Sequence, residues 1–150
     1  VLASALISPP VLVGQASSAQ PARQSGGAAS PDDAAVRAAL NHYLAAHATG
    51  DGNHIKDVFH PELKMFFSRD GEIRFRPGPE YIAGFPGKPA ADEAQRKRRI
   101  EAVDITGTAA VAKVVLDYPN ATLTDYFQLV KANGEWMIVS KIFHSEPKTR

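Results

Sequence analysis

The chain contains no cysteine among its 150 residues. This absence excludes disulfide bonds, thiolate metal ligands and cysteine nucleophiles, and it leaves the redox compartment undecided. Charge of one sign is also lacking, because 17 basic side chains face 16 acidic ones and the formal net charge is +1. A chain so close to neutral has no overall field that draws it to nucleic acid or to an anionic membrane. We therefore expect no nucleic-acid partner.

Long hydrophobic runs are missing as well. Residues 1–19 are apolar and uncharged, but two prolines interrupt them and they are too short to span a membrane as a stable helix. The segment closes on Ser17-Ser18-Ala19, the small-x-small form that signal peptidase accepts, with Gly14-Gln15-Ala16 as a second site of that form. These features predict an export signal cleaved near Ala19 and a periplasmic or secreted protein without stable membrane insertion. A disordered tail is the alternative.

The rest of the chain has the composition of one soluble domain. Hydrophobic residues make up 44% and charged residues 22%, enough of each for a core and a solvated surface. Residues 20–30 are rich in Gly, Ser, Ala and Pro without apolar periodicity, which predicts a flexible linker. We expect the folded domain over residues 31–146 and a short tail over residues 147–150.

The order of local patterns predicts an α+β domain. Ser30 is a natural N-cap, Pro31 suits the first helical position, and the apolar spacing that follows predicts a long helix ending at Gly50. A second short helix is expected before Pro61, then a hairpin over residues 63–76, helical turns within residues 78–85, and four long strands. Helices first and sequential hairpins last favour an antiparallel sheet curved around the long helix.

The last predicted hairpin places an acid among apolar groups. A two-residue type I′ turn at Asn133-Gly134 sets Asp125 opposite Ile142 and diagonal to His144, on a face rich in large aliphatic groups. A carboxylate in such surroundings must find a partner or raise its pKa. Asp125 and His144 form either a buried pair without a functional role or part of a pocket wall. A β-bulge in the hairpin would separate the two residues. Because the other face is apolar too, it is expected to bury against a second subunit.

A larger pattern contains this hairpin. The segment DYFQLVKANGEWMIVSKIFH follows RIEAVDITGTAAVAKVVLDYP and, far upstream, a helix ending in HATGD and then DVFHPEL. This succession resembles the nuclear transport factor 2-like superfamily, of the SnoaL and ketosteroid isomerase type, and within it the "Putative lumazine-binding" family. The resemblance implies a cone-shaped roll with a long N-terminal helix packed on a curved antiparallel sheet, a pocket between them, and often a homodimer. It fixes no activity.

The resemblance carries one site residue over directly. In ketosteroid isomerase a tyrosine of the first helix, ahead of a Gly-Asp pair, donates a hydrogen bond to the substrate oxygen, and Tyr43 matches it here. The isomerase's aspartate base falls near Phe67, so Asp125 or His60 would have to replace it. The expected polar and aromatic ligand contacts are Tyr43, His60, Asp125, Trp136 and His144.

Other motifs add little. The histidines lack metal-ligand spacing, no phosphate-cradling glycine loop is present, and we expect neither a metal nor a cofactor. The basic run Arg96–Arg99 is flanked by acids and is interpreted as a solvated strand entry. The leading hypothesis is a domain that binds a small apolar or aromatic molecule. An enzyme of isomerase, dehydratase or cyclase type using Asp125 and His144 is one alternative, and a non-catalytic dimeric interaction module is another.

Overall fold

The computed structural model describes residues 30–149. The helices are α1 (Pro31–Thr49) and α2 (Gly78–Ala83), with 3₁₀ turns at Gly52–Ile55 and Glu93–Gln95. The strands are β1 (Phe59–Arg69), β2 (Glu72–Pro77), β3 (Lys97–Thr106), β4 (Ala109–Asp117), β5 (Ala121–Ala132) and β6 (Glu135–Pro147). Within these residues neither helix has the length and hydropathy needed to cross a bilayer. The predicted export signal lies outside the described residues and stays a prediction.

Helix α1 begins and ends where the sequence places its caps. The Ser30 side chain accepts a hydrogen bond from the Asp33 amide at 3.1 Å, and Pro31 starts the helix. Gly50 ends it in the left-handed region at φ 71°, where a Cβ atom would lie 1.9 Å from the Lys88 carbonyl oxygen. Glycine is therefore required twice at this position, once for its backbone angle and once for the close approach of the neighbouring loop.

The six strands form one curved, open sheet in the order β2-β1-β6-β5-β4-β3. Every neighbouring pair is antiparallel except β1 with β6. Helix α1 lies across the concave face and buries Val36, Leu40 and Tyr43 against it. The predicted cone-shaped α+β roll is confirmed.

The predicted second helix is wrong in its extent. Only the 3₁₀ turn at Gly52–Ile55 forms, and His60 and Pro61 lie inside β1 instead of ending a helix. Proline has no backbone N–H to donate to a strand partner, which fits the shift in β1–β6 register between Phe59 and Lys64. His60 is exposed, and its Nδ1 accepts a hydrogen bond from the Glu62 amide at 3.2 Å.

The last hairpin keeps its predicted turn but not its predicted register. Asn133 and Gly134 both have positive φ, 53° and 86°, and Ala132 pairs with Glu135 as expected. Between Gln128 and Leu129 the β5–β6 register then shifts, because β6 carries Val139 as an extra residue. This bulge reverses which side chains of β6 face inward beyond it.

The consequence is a different interior. Asp125 is paired with Phe143 rather than Ile142, and His144 is paired with Thr124. Lys141 is buried on the concave face, whereas Ile142 is 52% exposed on the outer one. The predicted diagonal pair of Asp125 with His144 is therefore wrong, because a single extra residue turns Lys141 inward, opposite Phe127 and diagonal to the acid.

Candidate functional site

The site centres on a buried acid, phenol and amine contributed by three elements. Tyr43 of α1 donates a hydrogen bond from its hydroxyl to Asp125 Oδ2 of β5 at 2.6 Å. Lys141 of β6 donates from Nζ to the Tyr43 hydroxyl oxygen at 2.7 Å and lies 3.2 Å from Asp125 Oδ1. None of the three is more than 3% exposed. Asp125 Oδ1 receives no hydrogen bond from the described residues, so its contact with the ammonium is ionic.

Aromatic rings surround the Lys141 amine. Its Nζ lies 4.8 Å from the centroid of Tyr43, 5.2 Å from Tyr81, 5.1 Å from Phe143 and 5.8 Å from Phe127. Ring faces stabilise a cation there, but they replace water poorly. Burial accordingly lowers the pKa of Lys141 below that of an ordinary lysine, although the Asp125 charge opposes the change. The amine is therefore easier to deprotonate than a surface lysine.

A chain of hydrogen bonds leads from this cluster to the end of the cone. The Tyr81 hydroxyl is 3.4 Å from that of Tyr43, and His47 Nε2 is 2.7 Å from the Tyr81 hydroxyl. His47 Nδ1 is 3.2 Å from the Tyr118 hydroxyl, which accepts from Arg98 Nε at 3.2 Å. Five side chains on three elements and one loop thus connect a guanidinium to the buried phenol.

The direction of this chain follows from its ends. The Asp125 carboxylate only accepts, so Tyr43 donates to it and must accept from Tyr81. Tyr81 has then used its proton, and His47 must donate to it from Nε2–H. Nδ1 is left to accept from Tyr118, whose oxygen accepts from Arg98. Every donor in the chain therefore points toward Asp125.

This assignment requires a neutral imidazole at His47. Burial, with help from the positive charges of Lys141, Arg98 and Arg96, lowers the pKa of His47 to about 3. Burial also raises the pKa of Tyr43 well above that of an ordinary phenol, and the neighbouring Tyr81 and Asp125 add to the effect. Both groups are held in the protonation states that the hydrogen-bond chain needs.

A cavity of about 140 Å³ adjoins the cluster, and we call it the inner cavity. Lys141 forms part of its wall, whereas Asp125 lies behind Tyr43 and Lys141 and does not line it. Its lining is Tyr43, His47, Met65, Phe67, Arg69, Arg76, Tyr81, Leu123, Lys141 and Phe143. A molecule placed here meets the amine directly and the carboxylate only through it.

A second cavity, of about 240 Å³, lies on the other side of His47 and Tyr81, and we call it the basic cavity. Its charged lining residues are Arg76, Lys88 and Arg96. His47, Arg76 and Tyr81 line both cavities.

The structure brings only part of the predicted site together. Tyr43 and Asp125 meet as direct hydrogen-bond partners, and His144 is exposed on the outer face. His60 is exposed on β1 and lines neither cavity. Trp136 lies near the start of α1, where its Nε1 donates to Asp32 Oδ1 at 3.1 Å. No structural observation joins these last three residues to the cluster.

Sequence reasoning missed Lys141, Tyr81 and Arg98. Lys141 lies between Ser140 and Ile142 on a strand, and a two-residue period assigns it to the outer face. Arg98 was assigned to a solvated run, yet its side chain is only 8% exposed and is paired with Glu93 at 2.5 Å. The alternation of burial along β3, with Arg98 inward and Arg99 outward, is the one local signal that could have separated these two residues.

Comparison with known protein families matches most of this chain to one of them. A sequence model described as "Putative lumazine-binding" matches residues 31–144. A protein of Cladobotryum sp. named Aldolase FrzH is 32% identical over 117 residues, which cover 76% of this chain and 91% of that protein.

Solved structures give the same fold. An NTF2-like protein of unknown function from Shewanella baltica is 25% identical with a TM-score of 0.72, over 82% of this chain and 100% of that one. Another from Methylobacillus flagellatus is 29% identical with a TM-score of 0.68, over 79% and 95%.

Proposed function

This chain belongs to the "Putative lumazine-binding" family of nuclear transport factor 2-like proteins, and we propose that it is an enzyme acting on a small carbonyl compound in the inner cavity. The proposed reaction makes or breaks a carbon–carbon bond next to the carbonyl, as in aldol chemistry. The observation that carries the proposal is the Lys141 amine, which forms part of the cavity wall beside Tyr43 and Asp125. The family match by itself supports a small-ligand binding domain.

Lys141 is the nucleophile of this proposal. A lysine desolvated in an apolar pocket is the usual source of a neutral amine for Schiff-base chemistry. Asp125 Oδ1, 3.2 Å away and without a hydrogen bond from any described residue, is placed to take the proton that the ammonium gives up. Tyr43 holds the amine in position through its hydroxyl oxygen. Asp125 and Tyr43 thus prepare an amine that faces the cavity.

The steps balance without a further reactant except water. The amine adds to the carbonyl carbon, the carbonyl oxygen leaves as water, and an iminium forms on Lys141. The iminium accepts the electron pair of the bond between the adjacent carbon and a hydroxyl-bearing carbon beyond it. As that bond breaks, the hydroxyl loses its proton to water and the carbon departs as a second carbonyl compound. The resulting enamine takes a proton, and water hydrolyses the iminium to release product and the free amine. The reverse sequence forms the bond.

Trapping with a neutral aldehyde tests this step. Benzaldehyde and cyanoborohydride should modify Lys141 faster than any other lysine, since reductive trapping needs the neutral amine. Peptide mass mapping identifies the modified residue, and the Lys141→Met variant is the control for surface labelling. Modification confined to exposed lysines, with Lys141 untouched, would refute the Schiff-base step.

A second candidate is binding without catalysis. The rings of Tyr43, Phe67, Tyr81 and Phe143 line the inner cavity and suit a flat aromatic ligand, which is the ligand type the family description names. Calorimetric titration with lumazine examines this candidate. Binding of lumazine without any trapping at Lys141 would favour it over the enzyme.

We also propose that the outer sheet face binds a second copy of this chain. An apolar row crosses four strands in register, with Phe75 opposite Phe66, Phe66 opposite Ile142, and Ile142 opposite Tyr126. Its members are between 38% and 57% exposed. Contiguous exposed apolar surface of this kind marks an interaction site, and a self-complementary dimer covers it on both copies.

Sedimentation tests the dimer. Ile142→Lys places a charge at the centre of the row and should convert the dimer to a monomer, because a buried unpaired charge costs more than the contact gains. Lys56→Gln, at an exposed lysine outside the sheet, is the surface control and should leave sedimentation unchanged. A wild-type chain that sediments as a monomer at tens of micromolar would contradict the proposal.

A further inference from the structure

The cavities carry an imbalance of charge that the Schiff-base proposal does not use. The inner cavity is lined by Arg69, Arg76 and Lys141, and the basic cavity by Arg76, Lys88 and Arg96. Among residues 30–149 no aspartate or glutamate lines either of them. Asp125 offsets only Lys141, from behind the wall. The inner cavity and the basic cavity therefore carry an excess of positive charge.

In the described part of the chain Arg76 is the one arginine that lines both cavities. Its neighbours have acidic partners: Arg74 is paired with Glu72 at 2.6 Å, and Arg96 with Asp92 at 2.7 Å. Among residues 30–149 Arg76 forms no ion pair. It is paired in register with Met65, a buried residue of the inner-cavity wall, so its side chain shares that concave face. Arg76 therefore lies beside the inner cavity without a carboxylate partner, so its guanidinium is placed to bind an anion from outside the chain.

We infer that the molecule bound in the inner cavity carries a carboxylate, and that Arg76 binds this group. The inference rests on the proposed function for the position of the carbonyl at Lys141, and it adds the substrate class: a carbonyl compound that is also an acid. Arg76 is itself exposed, and its planar guanidinium matches a carboxylate with two parallel hydrogen bonds. Arg69, at the same cavity, adds to the attraction.

A matched pair of probes isolates the carboxylate. Benzoylformate and its methyl ester share the aromatic ring and the ketone and differ in the negative charge. Calorimetric titration of the wild-type chain should show the acid binding more tightly than the ester, with an affinity that falls as salt is added. Arg76→Gln should weaken the acid by about ten- to a hundredfold, the usual range for a hydrogen bond to a charged group, and leave the ester unchanged.

Arg74→Gln is the control for a general loss of positive charge. It removes a cation from the same face of β2, but Glu72 already neutralises that cation and Arg74 lines neither cavity. Equal binding of acid and ester, or equal losses in Arg74→Gln and Arg76→Gln, would overturn the inference, as would the absence of Arg76-dependent binding at millimolar acid.

The two proposals can fail separately. Aldehyde trapping at Lys141 uses a neutral probe, so it succeeds or fails without Arg76. Trapping together with Arg76-independent binding of the acid removes only the carboxylate inference. Arg76-dependent binding without trapping supports the carboxylate site and refutes the Schiff-base step.

Discussion

Replacing Lys141 with methionine is expected to lower the free energy of unfolding by about 3–5 kcal/mol. Methionine fills nearly the same volume, so the loss comes from charge rather than from a cavity. Among residues 30–149 it leaves the Asp125 carboxylate, which is 0% exposed, with only the Tyr43 hydroxyl as a partner. Removing one member of a buried ion pair costs far more than the pair contributes, because the remaining charge has neither water nor a counterion. Urea denaturation measures the change.

The double variant Asp125→Asn with Lys141→Met separates the two explanations. It removes both charges, so most of the lost stability should return if the buried carboxylate is the cause. Lys113→Met is the matched control, since Lys113 forms an exposed pair with Glu101 at 2.7 Å and should cost less than about 1 kcal/mol. A double variant as unstable as Lys141→Met alone would assign the loss to packing of the lysine stem.

The elements that sequence reasoning predicted depend on local chemistry. Ser30, Pro31 and Gly50 set the ends of α1 through caps that need only a few neighbouring residues. The turn at Asn133-Gly134 follows from its two positive φ angles, which these residue types tolerate. The cone fold itself was predicted from the succession of such local signals and from the family resemblance.

The site was predicted only in part because the inward position of Lys141 depends on one irregularity in β6. The bulge at Val139 lies where β6 meets both β5 and the irregular part of β1. No residue type near Val139 indicates the bulge, because the need for a bulge depends on the curvature of the whole sheet. Without the bulge Asp125 is opposite Ile142; with it Asp125 is opposite Phe143, and Lys141 becomes its diagonal neighbour and ionic partner. Tyr43 was predicted from the resemblance to ketosteroid isomerase and Asp125 from its place among apolar residues, whereas no feature of the sequence predicted the amine that contacts both.

The same limit applies to the hydrogen-bond chain. Tyr81 and Tyr118 come from α2 and from the turn after β4, and their hydroxyls meet His47 across 34 and 71 residues of chain. Side chains separated so widely are brought together by packing alone. A sequence pattern identifies such residues as aromatic core, and only the fold shows that their polar ends meet.

Mild acid is expected to destabilise this protein more than it destabilises a His47→Gln variant. The folded-state pKa of His47 is lowered to about 3, below the ordinary value of 6.5. Below 6.5 the unfolded chain binds a proton that the folded chain refuses, so the stability present above that pH is lost as the pH falls toward 3. The slope approaches about 1.4 kcal/mol per pH unit, which gives roughly 2–3 kcal/mol by about pH 4.5.

Glutamine keeps one donor and one acceptor for Tyr81 and Tyr118 but does not titrate, so His47→Gln should lack this part of the acid sensitivity. Denaturant titrations of both proteins at pH values from about 7.5 to 4.5 give the difference in slope. His42→Gln, which removes an exposed imidazole from the same helix, is the control and should follow the wild-type curve. If the stabilities of the wild type and His47→Gln depend on pH in the same way, His47 becomes charged without breaking the chain of hydrogen bonds. The assignment of a neutral imidazole between Tyr81 and Tyr118 would then be wrong.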